Sequence, residues 1–251
     1  MNNDNSTLYS VRQWLSFGWR SFILTKWISI LFSSIFCIIG GLLYWLLLKV
    51  DAYLIIFPFI AGFFLVAPIL IIGFQQVADL LQKKIKPRFR DLIVIKSKHN
   101  KGIWFLIFIL CICYFIWITD ALIIYGLYFG MEPLPLSDNF FTDPDLKDAL
   151  LSYLLYSGLM GFVTAVIGFL IGVFSIPLMI HQQFNFVAAI NLSVKTVFLN
   201  KWIMTKWAMT LVAITVLTLV LFLPLLVIVF PVLGYASYAV YDDLLPIVQE
   251  E

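Results

Sequence analysis

Few side chains in this sequence could do chemistry, and they fall in separate places. Asp120, in the run FIWITDALIIYGLYFG, is the carboxylate set well inside an apolar stretch. An ionisable group at membrane depth is costly and often lines a substrate or ion pathway. Asp120 comes late in its stretch, toward the outer face, so a structural role near the interface, paired with Lys49, is the plainer reading. A second set consists of polar helix ends: Gln75 and Gln76, then His181, Gln182 and Gln183, then Tyr235, Ser237 and Tyr238. If these ends converge, carboxamides, an imidazole and phenols could ring a vestibule and hold a small polar ligand. If they do not, they are helix-end groups meeting headgroups and water. Cys37, Cys111 and Cys113 all sit in apolar runs and read as small buried hydrophobes, without a disulfide or metal role.

No catalytic set accompanies these residues. The sequence has no nucleophile elbow, phosphate-cradling glycine loop, zinc motif or paired acids. A haem–copper centre needs several histidine ligands, and the chain has only His99 and His181. The expectation is a protein without catalysis, metal or cofactor.

The elements that carry these residues follow from composition. Of 251 residues, 63% are apolar or aromatic and 12% are charged, half the share of a soluble domain. Long apolar runs predict an all-α, polytopic membrane protein rather than a barrel of short alternating strands. Six spans are expected, at about 27–48, 53–75, 103–129, 151–180, 205–222 and 225–241. The last apolar stretch, 204–240, would be about 55 Å long as one helix, against a hydrocarbon core of about 30 Å. It must fold back, and Pro224 is the natural corner. The first residues lack the pattern of a cleavable signal, so the first span reads as an uncleaved insertion signal.

Cations set the orientation. Lys83, Lys84, Lys86, Arg88, Arg90, Lys96, Lys98 and Lys101 fall in the segment 77–102, and Lys195, Lys201 and Lys206 in 181–206. With Arg12, Arg20 and Lys26 they lie on one side if both termini are cytoplasmic, and only Lys49 and Lys147 lie opposite. The loop 130–148 then faces the periplasm with Glu132, Asp138, Asp143, Asp145 and Asp148. The basic segments are expected to meet anionic lipid headgroups. Nucleic acid is not expected as a partner, because no soluble domain forms a reading surface.

The spans pair into three pseudo-repeated hairpins, each preceded by an amphipathic interfacial helix. Pro68, Pro177 and Pro231 occupy equivalent places, and Asp79 and Asp242 follow their prolines at the same distance. The first amphipathic face is Leu8, Val11, Leu15, Trp19 and Phe22, and the third is Phe184, Val187, Ala188, Asn191, Val194 and Phe198. Tryptophans 14, 19, 27, 104, 202 and 207 are expected to form an aromatic belt at the cytoplasmic boundary. Gly158, Gly161, Ala165, Gly168 and Gly172 step along the fourth span as small-residue packing or an oligomer contact, with Gly40 and Gly41 in the first.

Four motifs, WLSFGW (14–19), GFFLVAPILIIG (62–73), SIPL (175–178) and FPVLGYASYAVYDDLL (230–245), resemble domain of unknown function family 2189, bacterial integral membrane proteins. The resemblance covers nearly the whole chain and implies the inner membrane of a proteobacterium. It brings no established activity. The family's final motif typically reads Gly-His-Ala-Ser/Thr-Trp-His-Ala-Tyr-Arg-Asp-Leu. Gly234, Ala236, Ser237, Tyr241, Asp243 and Leu244 match it. Tyr235, Tyr238, Ala239 and Asp242 depart, and both family histidines are missing, at Tyr235 and Ala239. A metal or proton role for such a pair does not carry over.

The function expected is that of a non-catalytic inner-membrane accessory, assembly or envelope-homeostasis protein, working through a membrane-protein partner or a second copy. The alternative is a transporter or a lipid- or small-molecule-binding protein with a pocket between the hairpin repeats.

Overall fold

The computed structural model describes residues 11–50, 71–94, 100–130 and 144–245, and all regular structure among them is helical. In chain order the elements are α1 (Val11–Leu24), α2 (Lys26–Lys49), α3 (Ile72–Gln82), α4 (Arg90–Ile93), α5 (Asn100–Phe129), α6 (Pro144–Gly172), α7 (Ser175–His181), α8 (Phe186–Leu199), α9 (Lys201–Leu221), a 3-10 turn (Leu223–Leu225) and α10 (Leu226–Leu244). Among the described residues, five helical stretches are long and apolar enough to cross a membrane: Lys26–Lys49, Lys101–Phe129, Pro144–His181, Lys201–Leu219 and Leu223–Leu244. The expected span 53–75 lies mostly outside the described residues, as do Pro68, His99 and most of the acidic loop.

Helix breaks follow local chemistry. The expected fourth span is longer than read from sequence, beginning at Pro144, and it breaks at Val173–Phe174. Pro177 has no N–H for the carbonyl four residues back, and its ring crowds that carbonyl. Ser193 of α8 serves the opened backbone: its hydroxyl donates to Leu170 O at 2.8 Å and accepts from Phe174 N at 3.3 Å. Asn185 caps α8 by accepting from Ala188 N at 2.9 Å. The fold-back after α9 falls at Leu223–Leu225, around Pro224. Helix α3 ends in a paired-bond cap, with Ile85 N to Leu80 O at 2.9 Å and Lys84 N to Leu81 O at 3.0 Å. Lys84 holds the left-handed position, φ 57°, that glycine ordinarily fills.

The densest packing gathers where α3, α7 and α10 end, beneath α1, α4 and α8. Helix α10 is the hub, contacting α1, α2, α3 and α9, while α5 packs along α6. Glycines make the closest crossings. A Cβ on Gly18 would strike the Val232 carbonyl oxygen of α10, and one on Gly73 the Leu92 carbonyl oxygen. A Cβ on Gly234 would lie 2.9 Å from the Phe74 Cβ. Around these crossings Phe32, Phe74 and Phe230 pack edge to face, with Phe74 also 5.3 Å from the Tyr235 ring. The outgoing helices α2, α5 and α9 carry exposed apolar rows, as lipid-facing helices must.

Tertiary contacts decide which helix faces turn inward. Helix α1 buries Trp14, Gly18, Ser21 and Phe22, with Val11 and Leu15 also packed against the core, and of the described residues on the expected face Trp19 is exposed. Helix α8 buries Ala189, Ser193, Thr196 and Val197, while the expected face turns outward through Val187 and Phe198. Trp14 and Trp207 are buried against each other, ring centroids 5.7 Å apart, and do not join an exposed belt. Trp19, Trp27, Trp104 and Trp202 are exposed. In the small-residue row only part packs tightly: a Cβ on Gly161 would lie 2.6 Å from the Trp117 ring, whereas Gly158, Gly40 and Gly41 meet nothing within 4 Å.

Gly18→Val places a branched side chain against backbone that cannot turn aside. It is expected to lower stability by about 1–3 kcal/mol or more, read as a fall in thermal midpoint in detergent. Gly158→Val is expected to leave that midpoint unchanged.

Candidate functional site

Helix α10 positions most of the polar side chains, and its turn sends them to different neighbours. Tyr235, fully buried, points to the junction of α1 and α2. Its hydroxyl lies 2.8 Å from Thr25 Oγ1 and 2.7 Å from Ser29 Oγ, and those two oxygens are 2.9 Å apart. Thr25 Oγ1 donates to Ser21 O at 2.7 Å, so it accepts within this triangle. The triangle thus holds three hydroxyls in a closed network at the kink between two helices. Ser237 bonds only within its own helix, to Leu233 O at 2.8 Å.

One turn beyond Tyr235, Tyr238 reaches α3. Its hydroxyl donates to Gln82 Oε1 at 3.1 Å or to Asp79 Oδ1 at 3.3 Å. The other Asp79 oxygen accepts from Lys83 Nζ at 2.8 Å. Gln82 Nε2 donates to Asp242 Oδ2 at 2.8 Å. The two carboxylates therefore each have their own donor, which offsets like charge at close range. From α7 comes His181. Its Nδ1 is 3.9 Å from Asp79 Oδ2, and its ring sits 5.4 Å from that of Tyr238 and 5.7 Å from that of Tyr241. The next residue, Gln182, donates to Leu245 O at 3.0 Å. The ends of α3, α7 and α10 are thereby joined.

Of the residues marked from sequence, the structure brings together His181, Gln182 and Tyr238. Tyr235 and Ser237 are buried on other faces of α10. Gln75 and Gln76 are buried on α3, Gln75 one turn before Asp79. Asp120 is half-buried on α5, and no hydrogen bond or ion pair joins it to Lys49, whose ammonium stands 5.6 Å over the Trp45 ring. Sequence reasoning did not mark Asp79, Gln82, Lys83 and Asp242 as site residues, nor Thr25 and Ser29 as partners of Tyr235. Asp79 and Asp242 did carry a signal in their equal spacing from Pro68 and Pro231. Three buried atoms beside these networks have no hydrogen-bond partner among the described residues, His181 Nε2, Gln75 Oε1 and the Tyr241 hydroxyl oxygen. Among the described residues no group of three His, Cys, Asp or Glu could hold a metal ion.

A family model described as predicted integral membrane protein (DUF2189) matches residues 56–181. That segment holds Asp79, Gln82, Lys83 and His181 of the site, and α10 lies beyond it. No curated protein and no solved structure matches the chain.

If Tyr238 and Asp79 hold α3 to α10, their losses are coupled. A double-mutant cycle of Tyr238→Phe and Asp79→Asn is expected to show about 0.5–3 kcal/mol of interaction. Tyr235→Phe with Asp79→Asn, from the two separate networks, is expected to be additive.

Proposed function

We propose, from the premise that the chain belongs to the DUF2189 family of predicted integral membrane proteins, that it is a non-catalytic accessory or assembly protein of a bacterial inner membrane. The single observation that carries this reading is the engagement of the polar cluster with itself. Tyr235 is held by Thr25 and Ser29, Tyr238 by Asp79 and Gln82, Asp242 by Gln82, and Asp79 by Lys83. A catalytic site needs a base or nucleophile poised toward an incoming atom. Here the two carboxylates and the phenols of Tyr235 and Tyr238 are engaged with neighbouring side chains. The outward faces, in contrast, are apolar and carry open glycines at 40, 41, 126 and 158 where another helix could approach closely.

The same reading takes six spans in three hairpins, with both termini cytoplasmic. The apolar run 53–70 provides the missing span, and α5 with α6–α7 and α9 with α10 provide the pattern. Lys26, Lys101 and Lys201 stand at the starts of α2, α5 and α9 beside exposed Trp27, Trp104 and Trp202. Lys26 lies 5.6 Å over the Trp27 ring and Lys201 5.9 Å over that of Trp202. Such pairs suit a membrane–water boundary, the ring at the headgroups and the ammonium in water.

A second reading rests on His181 Nε2 and Gln75 Oε1. Buried polar atoms without partners are costly, and a small polar ligand held between the hairpins would satisfy them.

Orientation is checked in a chain with Cys37, Cys111 and Cys113 replaced by serine. Lys84→Cys is expected to resist an impermeant thiol reagent in spheroplasts and to react in inverted vesicles, and Lys147→Cys to do the reverse. For function, a photoreactive amino acid at Leu42 or Leu159 is expected to give one discrete protein adduct in native membranes. Labelling of lipid alone at both positions removes the lateral reading. A small molecule that co-purifies with the protein, and is lost on His181→Ala, moves the conclusion to the pocket.

A further inference from the structure

We infer that the segment from Lys83 to Val94 is a seat for anionic phospholipid headgroups of the leaflet it faces. The inference rests on the reading above that this end of the helices lies at a membrane surface.

Charge distribution carries the argument. Lys84, Lys86, Arg88 and Arg90 are all exposed, and among the described residues none has an ion-pair partner. The carboxylates nearby are engaged elsewhere. Asp79 takes Lys83, Asp242 takes the Gln82 carboxamide, and Asp91 is buried, accepting from the Arg88 backbone N–H at 2.9 Å. Four cations in a run of seven residues are thus left without counter-charge from the described residues. Helix α3 also ends with a lysine in the left-handed position, where glycine would relieve strain. A positive charge stands at a site that local backbone preference does not favour.

Exposed aliphatic residues say which kind of anion is met. Ile85, between Lys84 and Lys86, is 52% exposed, and Ile93 and Val94, in the turn after Arg90, are 57% and 45% exposed. Beside a soluble acid or a nucleic acid these side chains would stay in water. Against a lipid surface they leave water while the cations meet phosphate, the pattern of interfacial segments. Arg88 and Arg90 flank Phe89 and can each bind phosphate oxygens in a fork.

The test uses the full chain with two probes of matched acyl chains, phosphatidylglycerol and phosphatidylcholine. Native mass spectrometry of the detergent-purified protein is expected to show preferential retention of phosphatidylglycerol. Each neutralised cation in the series Lys84→Gln, Lys86→Gln, Arg88→Gln and Arg90→Gln is expected to weaken that retention by up to about fivefold. A nitroxide at Ile93→Cys, in the chain whose native cysteines are serine, is expected to lose access to a water-soluble relaxation agent in phosphatidylglycerol nanodiscs. Equal retention of the two lipids overturns the inference, as does a preference unchanged in the fourfold variant at an unchanged thermal midpoint. A nitroxide that stays water-accessible while the preference persists places the lipid elsewhere and also overturns it. Binding of an oligonucleotide without lipid preference would make the patch a polyanion site instead. The adducts at Leu42 and Leu159 do not depend on these four cations, so the accessory reading fails or stands separately.

Discussion

The close crossing of α10 over α1 and α3 is the constraint on which the rest of the structure depends. Gly18 lets the first helix lie directly on the backbone of α10 at Val232, and Gly234 lets α10 press on Phe74 of α3. Both contacts need the absence of a side chain. Once the axes are this close, hydroxyl groups of α10 come within hydrogen-bond reach of two neighbours. Tyr235 meets Thr25 and Ser29, and Tyr238 meets Asp79 and Gln82. Polar groups buried in this way are costly unless paired, so the crossing makes the networks possible and the networks then specify the crossing.

This arrangement places the densest part of the molecule at one end of its long helices. Most of α3, all but the last residue of α7 and the second half of α10 are buried, while α2, α5 and α9 expose apolar rows. Lipid tails are as apolar as leucine, so the outgoing helices gain little from packing against protein. The polar ends of the inner helices gain much from meeting each other. The short helices α1 and α8 complete this end. One covers the crossing, and the other repairs the backbone opened before Pro177 through Ser193.

The chemistry of the site follows the same division. Asp242, Tyr235, Tyr238, Gln82 and Gln182 are paired across helices, while His181 Nε2, Gln75 Oε1 and the Tyr241 hydroxyl are buried without partners. Outside this pairing, four cations gather on the segment after α3, where Lys84, Lys86, Arg88 and Arg90 stand exposed. The molecule thus separates a largely paired polar interior from a basic surface that has no ion-pair partner among the described residues.

The sequence by itself determined the class of the protein, because apolar run length and low charge leave a helical membrane chain as the solution. It also located the turn at Pro224 and marked the polar helix ends that carry His181, Gln182 and Tyr238, since proline chemistry and polar helix ends are local signals, but it left open whether those ends meet. The equal spacing of Asp79 and Asp242 from their prolines was visible too, but not that both would join Gln82 and Tyr238. That depends on the rotation of α3 against α10, which is decided by Gly234 on Phe74 and not by periodicity. The same reason explains why Trp14 and Trp207, read as belt residues, are buried together, and why α1 presents Trp14 and Gly18 to the core. In apolar helices nearly every face is hydrophobic, so pattern cannot say which one packs inward. Only tertiary contacts between particular small and large side chains settle that.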